Sequence, residues 1–347
     1  MARKKKVSMQ DIADRLNISK NAVSLALQDK RGVSEEMRYR ILQTARELGY
    51  GAYAEKAAVG GNVLVLVPER IMGYQDNDHF RFYHDMIWGL EKSIRKRGLS
   101  AVIVPIAVEM EKGLQLPRHC EEIDYIGILL FGIAEKEYAR IVWERDVPLV
   151  MIDSYHRELP CPVVATANIE GAYEAVAALI RSGHREIGFI GSANLTTSHE
   201  ERWLGYWSAM RQHGLAVNAR AVLTDSAGFY NTEREIAHFL NGLEAYPTAF
   251  FCGNDRIAYL LANELRTRGL GVPEEVSIIG FDDLQYEENG GLGMTTMRVE
   301  KERMCEAAAE MLLSLKGAPS REMLRMYIPP TLVVRGSVRR IKDWDWQ

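Results

Sequence analysis

The chain has 347 residues, 47% hydrophobic and 26% charged, which fits two or three globular domains and excludes a single small module. Its net charge of −4 divides unevenly: residues 1–60 carry 12 Lys/Arg and 7 Asp/Glu, and the rest is acidic. A small basic unit joined to a large acidic one points to an anionic partner for the N-terminus alone. Cys120, Cys161, Cys252 and Cys305 lie far apart with no C-x-x-C pair, which excludes a zinc ribbon and a disulfide scaffold and fits reduced thiols. Gln10, Asp11 and Asp14 interrupt the basic start before any apolar run, and no stretch approaches the ~18 apolar residues of a membrane span. A cytoplasmic, non-membrane protein is expected.

Residues 8–49 read as three short helices. Ser8 is placed to cap the first, where Met9, Ile12, Ala13 and Leu16 recur on one face. Asn17-Ile18 makes a turn, and Ser19 caps a second helix from Lys20 to about Gln28, with Val23 and Leu27 facing inward. A loop containing Gly32 follows. Ser34 then caps a third helix with Met37, Ile41, Ala45 and Leu48 as its buried stripe, and Gly49 ends it. Two short helices, a tight turn and a closing third helix describe a helix-turn-helix, although a three-helix interaction module has the same periodicity. In the DNA reading the second helix enters the major groove with Lys20, Asn21, Ser24 and Leu25 outward. Asn21 can pair with adenine, Lys20 can reach guanine or a phosphate, and Leu25 can pack on a thymine methyl. Ser19 and Ser24 suit phosphate contacts, which fix register.

The segments Val7-Ser8-Met9-Gln10-Asp11-Ile12-Ala13, Ile18-Ser19-Lys20-Asn21-Ala22-Val23-Ser24, Gly32-Val33-Ser34 and Leu48-Gly49-Tyr50 resemble the headpiece of the LacI/GalR regulators. Asn17, Ala22, Leu25 and Gln28 stand where that family usually has Gly, Thr, Arg and Asn, so an operator sequence does not carry over. The resemblance implies that residues 50–61 are a hinge that can push an apolar wedge into the minor groove, with Val59 as the candidate wedge. This linker lacks the family's usual Pro-Asn and Leu, and a plain tether ending in Gly60-Gly61 is the other reading.

From residue 62 the pattern changes to alternating strands and helices. Val63–Val67 is a strand buried on both faces. A helix over 84–97 follows, then strands 101–105 and 126–131, a helix near 135–144 and the strand 148–152. After Asn168 a second series runs through helix 170–182, strand 186–190, helix 200–213, strand 220–224, helix 231–241, strand 248–251, helix 255–267 and strand 276–280. Two such series predict two doubly wound α/β lobes of parallel sheet with a ligand cleft between them. The runs Leu179–Ile190, Cys252-Gly253-Asn254-Asp255 and Ile278-Ile279-Gly280-Phe281-Asp282-Asp283 resemble the type I periplasmic-binding-protein fold of the same regulators.

That resemblance implies an effector-binding and dimerisation domain over 62–338, whose chain crosses between lobes three times, near 164–168, 288–296 and 326–330. One lobe would hold 62–165 and 295–326, the other 167–289 and 329–338, followed by a tail over 339–347 without leucine heptads. It further implies that Arg202 and Asp255 clasp ligand hydroxyls, Arg as a fork of donors and Asp as an acceptor. Asp255 can equally cap the helix that follows it.

Other candidates come from position. Asp153 and Phe131 end strands at the cleft side, and Asn168 follows the first crossing. Phe229 and Tyr230 can stack on a sugar face, and the loop holding Asp78 and Phe80 can wall the pocket. His199, Glu200 and Glu201 open a charged helix and read as solvated.

No G-x-G-x-x-G follows the first strand, and no G-x-S-x-G, H-E-x-x-H or P-loop occurs, so no catalytic residue, metal site or cofactor is expected. The expectation is a repressor. It acts as a homodimer on double-stranded operator DNA, and a small-molecule effector, a sugar by preference, sets its affinity. A purine-type corepressor, or a solute-binding protein without DNA function, is the alternative.

Overall fold

The computed structural model describes residues 7–27, 32–33, 35–48, 50, 61–72, 77–228, 232–284, 293–315 and 323–341. The chain divides into a small N-terminal unit and a large α/β unit.

The small unit contains α1 (Met9–Leu16), α2 (Lys20–Leu27) and α3 (Glu35–Leu48). Ser8 and Asp11 form a reciprocal capping box. The Ser8 backbone N–H donates to the Asp11 carboxylate at 2.7 Å, and the Asp11 N–H donates back to Ser8 Oγ. Asn17 ends α1 at φ 52°, a left-handed turn that Asn tolerates better than most residues. Ser19 caps α2 by accepting the Ala22 N–H at 3.1 Å. Ile12, Ala13, Val23, Ala26, Ile41 and Ala45 are buried together and form the core. Arg38 of α3 donates to the Ala26 carbonyl at 3.2 Å, which satisfies an orphan acceptor at the end of α2.

The first sheet of the large unit has the order β11-β5-β4-β3-β1-β2. Its members in chain order are β1 (Asn62–Pro68), β2 (Ser100–Ile106), β3 (Tyr125–Phe131), β4 (Leu149–Ile152), β5 (Val163–Thr166) and β11 (Arg325–Ile328). Every residue from Val63 to Val67 is buried, as a central parallel strand covered on both faces requires. Helices α4 (Asn77–Lys96), α5 (Val108–Lys112), α6 (His119–Glu122) and α7 (Lys136–Trp143) connect the first four strands. Helix α4 starts seven residues before the position expected from periodicity.

The second sheet has the order β12-β10-β9-β8-β6-β7. It comprises β6 (Ile187–Ile190), β7 (Val222–Leu223), β8 (Ala249–Cys252), β9 (Ser277–Phe281), β10 (Thr295–Arg298) and β12 (Thr331–Val333). Its helices are α8 (Asn168–Arg181), α9 (Thr197–Gln212), α10 (Thr232–Asn241) and α11 (Asp255–Thr267). Helix α12 (Lys301–Ser314) returns to pack on β3, β4 and β5.

The second crossing falls later than the sequence suggested. Residues 295–298 do not join the first lobe: Thr295, Thr296 and Met297 pair in parallel with Ile279, Gly280 and Phe281 of β9, so the chain leaves the second sheet only after Arg298. Residues 339–341, the described part of the tail, are held on the second lobe: Arg339 N–H donates to Ser277 Oγ and Ile341 N–H to the Ser182 carbonyl.

Gly205 fixes the approach of α8 to α9. A Cβ there would lie 2.3 Å from the Ile169 carbonyl oxygen and 2.7 Å from Ala172 Cβ. Gly205→Ala should therefore cost about 1–3 kcal/mol by overpacking, read as a lower urea midpoint at unchanged slope. An unshifted midpoint would show that the helices can part freely.

Candidate functional site

In the small unit, Ser19, Lys20 and Asn21 are exposed at the start of α2. Ser19 Oγ accepts from Ala22 N–H and still has its own O–H to donate, so capping and phosphate contact are compatible. Ser24 and Leu25 are half-buried. Leu25 turns toward the following loop: a Cβ added to Gly32 would lie 3.2 Å from Leu25 Cδ1. This leaves only part of Leu25 to meet a base. Val59 lies outside the described residues.

In the large unit, one cavity opens between the lobes, lined among others by Arg70, Phe82, Tyr83, Asp153, His199, Arg202, Arg256 and Asp282. Arg202 projects from α9 and is 3% exposed. Its Nε donates to Asn168 Oδ1 at 3.0 Å, its Nη1 to the Gly253 carbonyl at 2.6 Å, and its Nη2 meets Asp282 Oδ1 at 3.1 Å. The guanidinium also lies 3.7 Å from the centre of the Phe281 ring. A planar fork held on several sides is pre-organised to offer its remaining donors in one direction.

Asp153 directly follows β4 at φ 76°, a left-handed kink. Tyr83 of α4 donates to its Oδ2 at 3.1 Å. Burial pushes the Asp153 carboxyl up to about 6; Arg202 opposes the shift and Asp282 adds to it. Burial raises Asp282 as well, again against Arg202. Arg202 therefore acts on two carboxylates that burial makes reluctant to ionise. Arg70 pairs with the buried Glu111 and also donates to the Ile133 carbonyl.

The structure brings Arg202, Asn168 and Asp153 to one place. Asp255 is near but does not line the cavity: it is fully buried, its Oδ2 accepts the Leu284 N–H at 2.7 Å, and its Oδ1 rests against Gly280, where a Cβ would come within 2.0 Å. The cap of α11 is Asn254, whose Oδ1 accepts from Ile257 N–H. Asp282 supplies the carboxylate beside Arg202. Phe131 is fully buried beneath the cavity, edge-on to Tyr83 at 5.7 Å. Asp78 and Phe80 fall on α4, with side chains outside the described residues, as are Phe229 and Tyr230 altogether.

Two residues taken as solvated are buried: His199 is 9% and Glu201 4% exposed. The first turns of α9 run between the lobes, so only Glu200 of that trio keeps solvent. His199 Nδ1 accepts the Ser192 N–H at 3.1 Å, which leaves the proton of the neutral ring on Nε2. Arg70, Arg256 and Asp282 escaped the sequence reading. Asp282 was reachable, because it directly follows β9 as Asp153 follows β4.

Among the described residues no cluster of His, Cys, Asp or Glu is placed to hold a metal ion, and no helix is long and apolar enough to cross a membrane.

A three-helix unit with a polar helix start, joined to two α/β lobes around a buried Arg–Asp cavity, defines a class: DNA-binding regulators that carry a ligand domain. Comparison with known proteins agrees. Residues 8–52 match the model for bacterial regulatory proteins of the lacI family, and residues 176–338 match a periplasmic binding protein-like domain. The repressor CytR of Escherichia coli (strain K12) is 29% identical over 346 residues, covering 96% of this chain and 97% of that protein. The ribose operon repressor of Haemophilus influenzae is 27% identical, covering 96% and 99%. The solved regulator CelR–cellobiose complex superposes with a TM-score of 0.68 at 22% identity, over 96% of this chain and all of that one. The chain belongs to the lacI family of bacterial regulatory proteins. It is a DNA-binding transcriptional regulator and not an enzyme.

Proposed function

We propose that this regulator senses a small hydroxyl-rich metabolite, a sugar, in the cavity around Arg202, and that occupancy sets its affinity for an operator. The observation that carries the reading is the pairing of Arg202 with Asp282 on the cavity wall, where Asp153 also lies within reach of the guanidinium's charge. Alternating forks of donors and charged acceptors match a ring of hydroxyl groups, each of which both donates and accepts. Relatives solved with cellobiose and with ribose support the same ligand class.

On the DNA side, Lys20 and Asn21 read base edges while Ser19 and Ser24 hold phosphates. Two copies of the chain place two such helices on a pseudo-palindromic site, since a two-fold protein calls for a two-fold target. A relative solved as a dimer on operator DNA supports this arrangement. Ligand releases the operator by preferring the lobe arrangement that binds DNA poorly, and the shift cannot exceed that preference, typically ~1–3 kcal/mol.

A thermal-shift panel of neutral sugars, sugar acids, nucleosides and nucleobases tests the ligand class, because a compound that binds only the folded state raises the melting temperature. A sugar that raises Tm and also weakens anisotropy-measured binding to the selected DNA supports the reading. A response confined to nucleobases would replace the sugar with a corepressor of that class. Separately, Asn21→Ala should relax preference at one operator position at a cost of about 1–3 kcal/mol. An unchanged selected site would remove Asn21 from the readout.

A further inference from the structure

We propose that Glu201 is a positioning residue that ties the closure of the two lobes to the orientation of Arg202. The inference rests on the ligand cavity described above and concerns how that cavity is regulated.

Glu201 lies on α9, one residue before Arg202. Its Oε1 accepts from Tyr155 Oη at 2.6 Å, and its Oε2 accepts from Asn168 Nδ2 at 3.0 Å. Tyr155 belongs to the first lobe, in the loop after β4, while Glu201 belongs to the second. Asn168 Oδ1 in turn accepts from Arg202 Nε. The chain of bonds therefore runs from Tyr155 through Glu201 and Asn168 to Arg202.

The chemistry allows one orientation. A carboxylate has no proton to give and a guanidinium has no lone pair to accept with. Asn168 must turn its NH2 to Glu201 and its oxygen to Arg202. The carboxylate thus sets the amide, and the amide sets the plane of the guanidinium. At the other end, Tyr155 Oη lies 3.0 Å from Tyr327 Oη, and the guanidinium of Arg325 covers the Tyr155 ring at 4.5 Å. The Thr197 hydroxyl donates to the Tyr155 carbonyl, and Arg157 pairs with Glu200, so the same two segments meet at three points across the lobes.

A buried carboxylate is costly unless its oxygens accept hydrogen bonds. When the lobes part, Tyr155 withdraws and Glu201 loses the donor on Oε1. The carboxylate then competes for the Asn168 amide or turns to solvent, and Arg202 loses its fixed plane. Closure and a ligand-ready arginine are in this way one event.

The test uses the full-length protein without ligand and reads the Nε–H proton of Arg202 by NMR after selective arginine labelling. The resonance is assigned by its loss in Arg202→Lys. In the unaltered protein its exchange with water is slow. Tyr155→Phe, a change in the other lobe, should speed that exchange at least tenfold. Glu201→Gln should do the same, because its amide offers one acceptor oxygen to the two donors, Tyr155 Oη and Asn168 Nδ2, that the carboxylate serves with two. Combining Glu201→Gln with Asn168→Asp should slow exchange again, since the new carboxylate at position 168 accepts both from Arg202 and from the new amide.

If Tyr155→Phe leaves the exchange rate unchanged, the coupling between lobes is overturned, even where Glu201→Gln has an effect. If the double change fails to restore slow exchange in a folded protein, the bond chain itself is wrong. Because no ligand is present, these outcomes stand apart from the sugar assignment, which the thermal-shift panel decides.

Discussion

Arg202→Ala should lower the unfolding free energy by about 3–5 kcal/mol and abolish any thermal shift produced by ligand, because removing one partner of a buried ion pair leaves uncompensated charge. Asp282 would lose its cation at 3.1 Å, and the Gly253 carbonyl and Asn168 Oδ1 would each lose a donor. Arg202→Lys keeps the charge but not the fork, so it should recover part of the stability and little of the ligand response. Urea denaturation and the ligand panel, run on both variants, separate the two effects. An Arg202→Ala protein as stable as the parent and equally responsive to ligand would dismiss Arg202 from the site.

Asp153 supplies the second large effect, through pH. Its folded-state carboxyl is raised from 3.8 to about 6, chiefly by burial. The folded protein therefore holds this proton across a range where the unfolded chain has released it. Between pH 3.8 and about 6 the native state binds more protons, so the Asp153 contribution to stability falls as pH rises. The full loss amounts to about 3 kcal/mol at neutral pH, given ~1.4 kcal/mol for each pKa unit. Asp153→Asn cannot titrate and still accepts from Tyr83. Its stability relative to the parent should climb across that window and level off above it. Parallel stability profiles for the two proteins between pH 4 and 7 would show that Asp153 ionises normally. Ligand hydroxyls that donate to Asp153 favour its charged form, so sugar binding should tighten across the same range.

The sequence made some of this legible and hid the rest for identifiable reasons. Helix caps were readable at Ser8, Asn17 and Ser19, because capping depends on neighbours within three residues. The buried strand Val63–Val67 was readable as an apolar run, and the strand expected at 276–280 lies within a residue of its place at Ser277–Phe281. Strand β10 was not. Met294-Thr295-Thr296-Met297 carries neither an apolar run nor alternation, and its place in the second sheet depends on β9 and β12, distant in sequence. Among site residues, the family spacing led to Arg202, and strand-end reasoning led to Asp153. Asp255 and Asp282 show where spacing stops helping. Both follow strands in acidic motifs, and only the packing of Asp255 against Gly280 decides which carboxylate faces Arg202. His199 and Glu201 look solvated because a single sequence does not show that the start of α9 runs between two lobes.

The connections between the lobes carry a mechanical consequence. Only Ala167 separates β5 from α8, only Val299 and Glu300 separate β10 from α12, and only Pro329 and Pro330 separate β11 from β12. These three tethers are stitched together: Ala167 N–H donates to the Ile328 carbonyl, and Thr331 Oγ1 donates to Glu300. One or two residues span at most about 3.5 Å each, so sliding of one lobe along the other is blocked. What remains is bending and twisting about a single waist. A metabolite can therefore send its message only as an angle, and a small change there sweeps the far ends of both lobes through the largest arc.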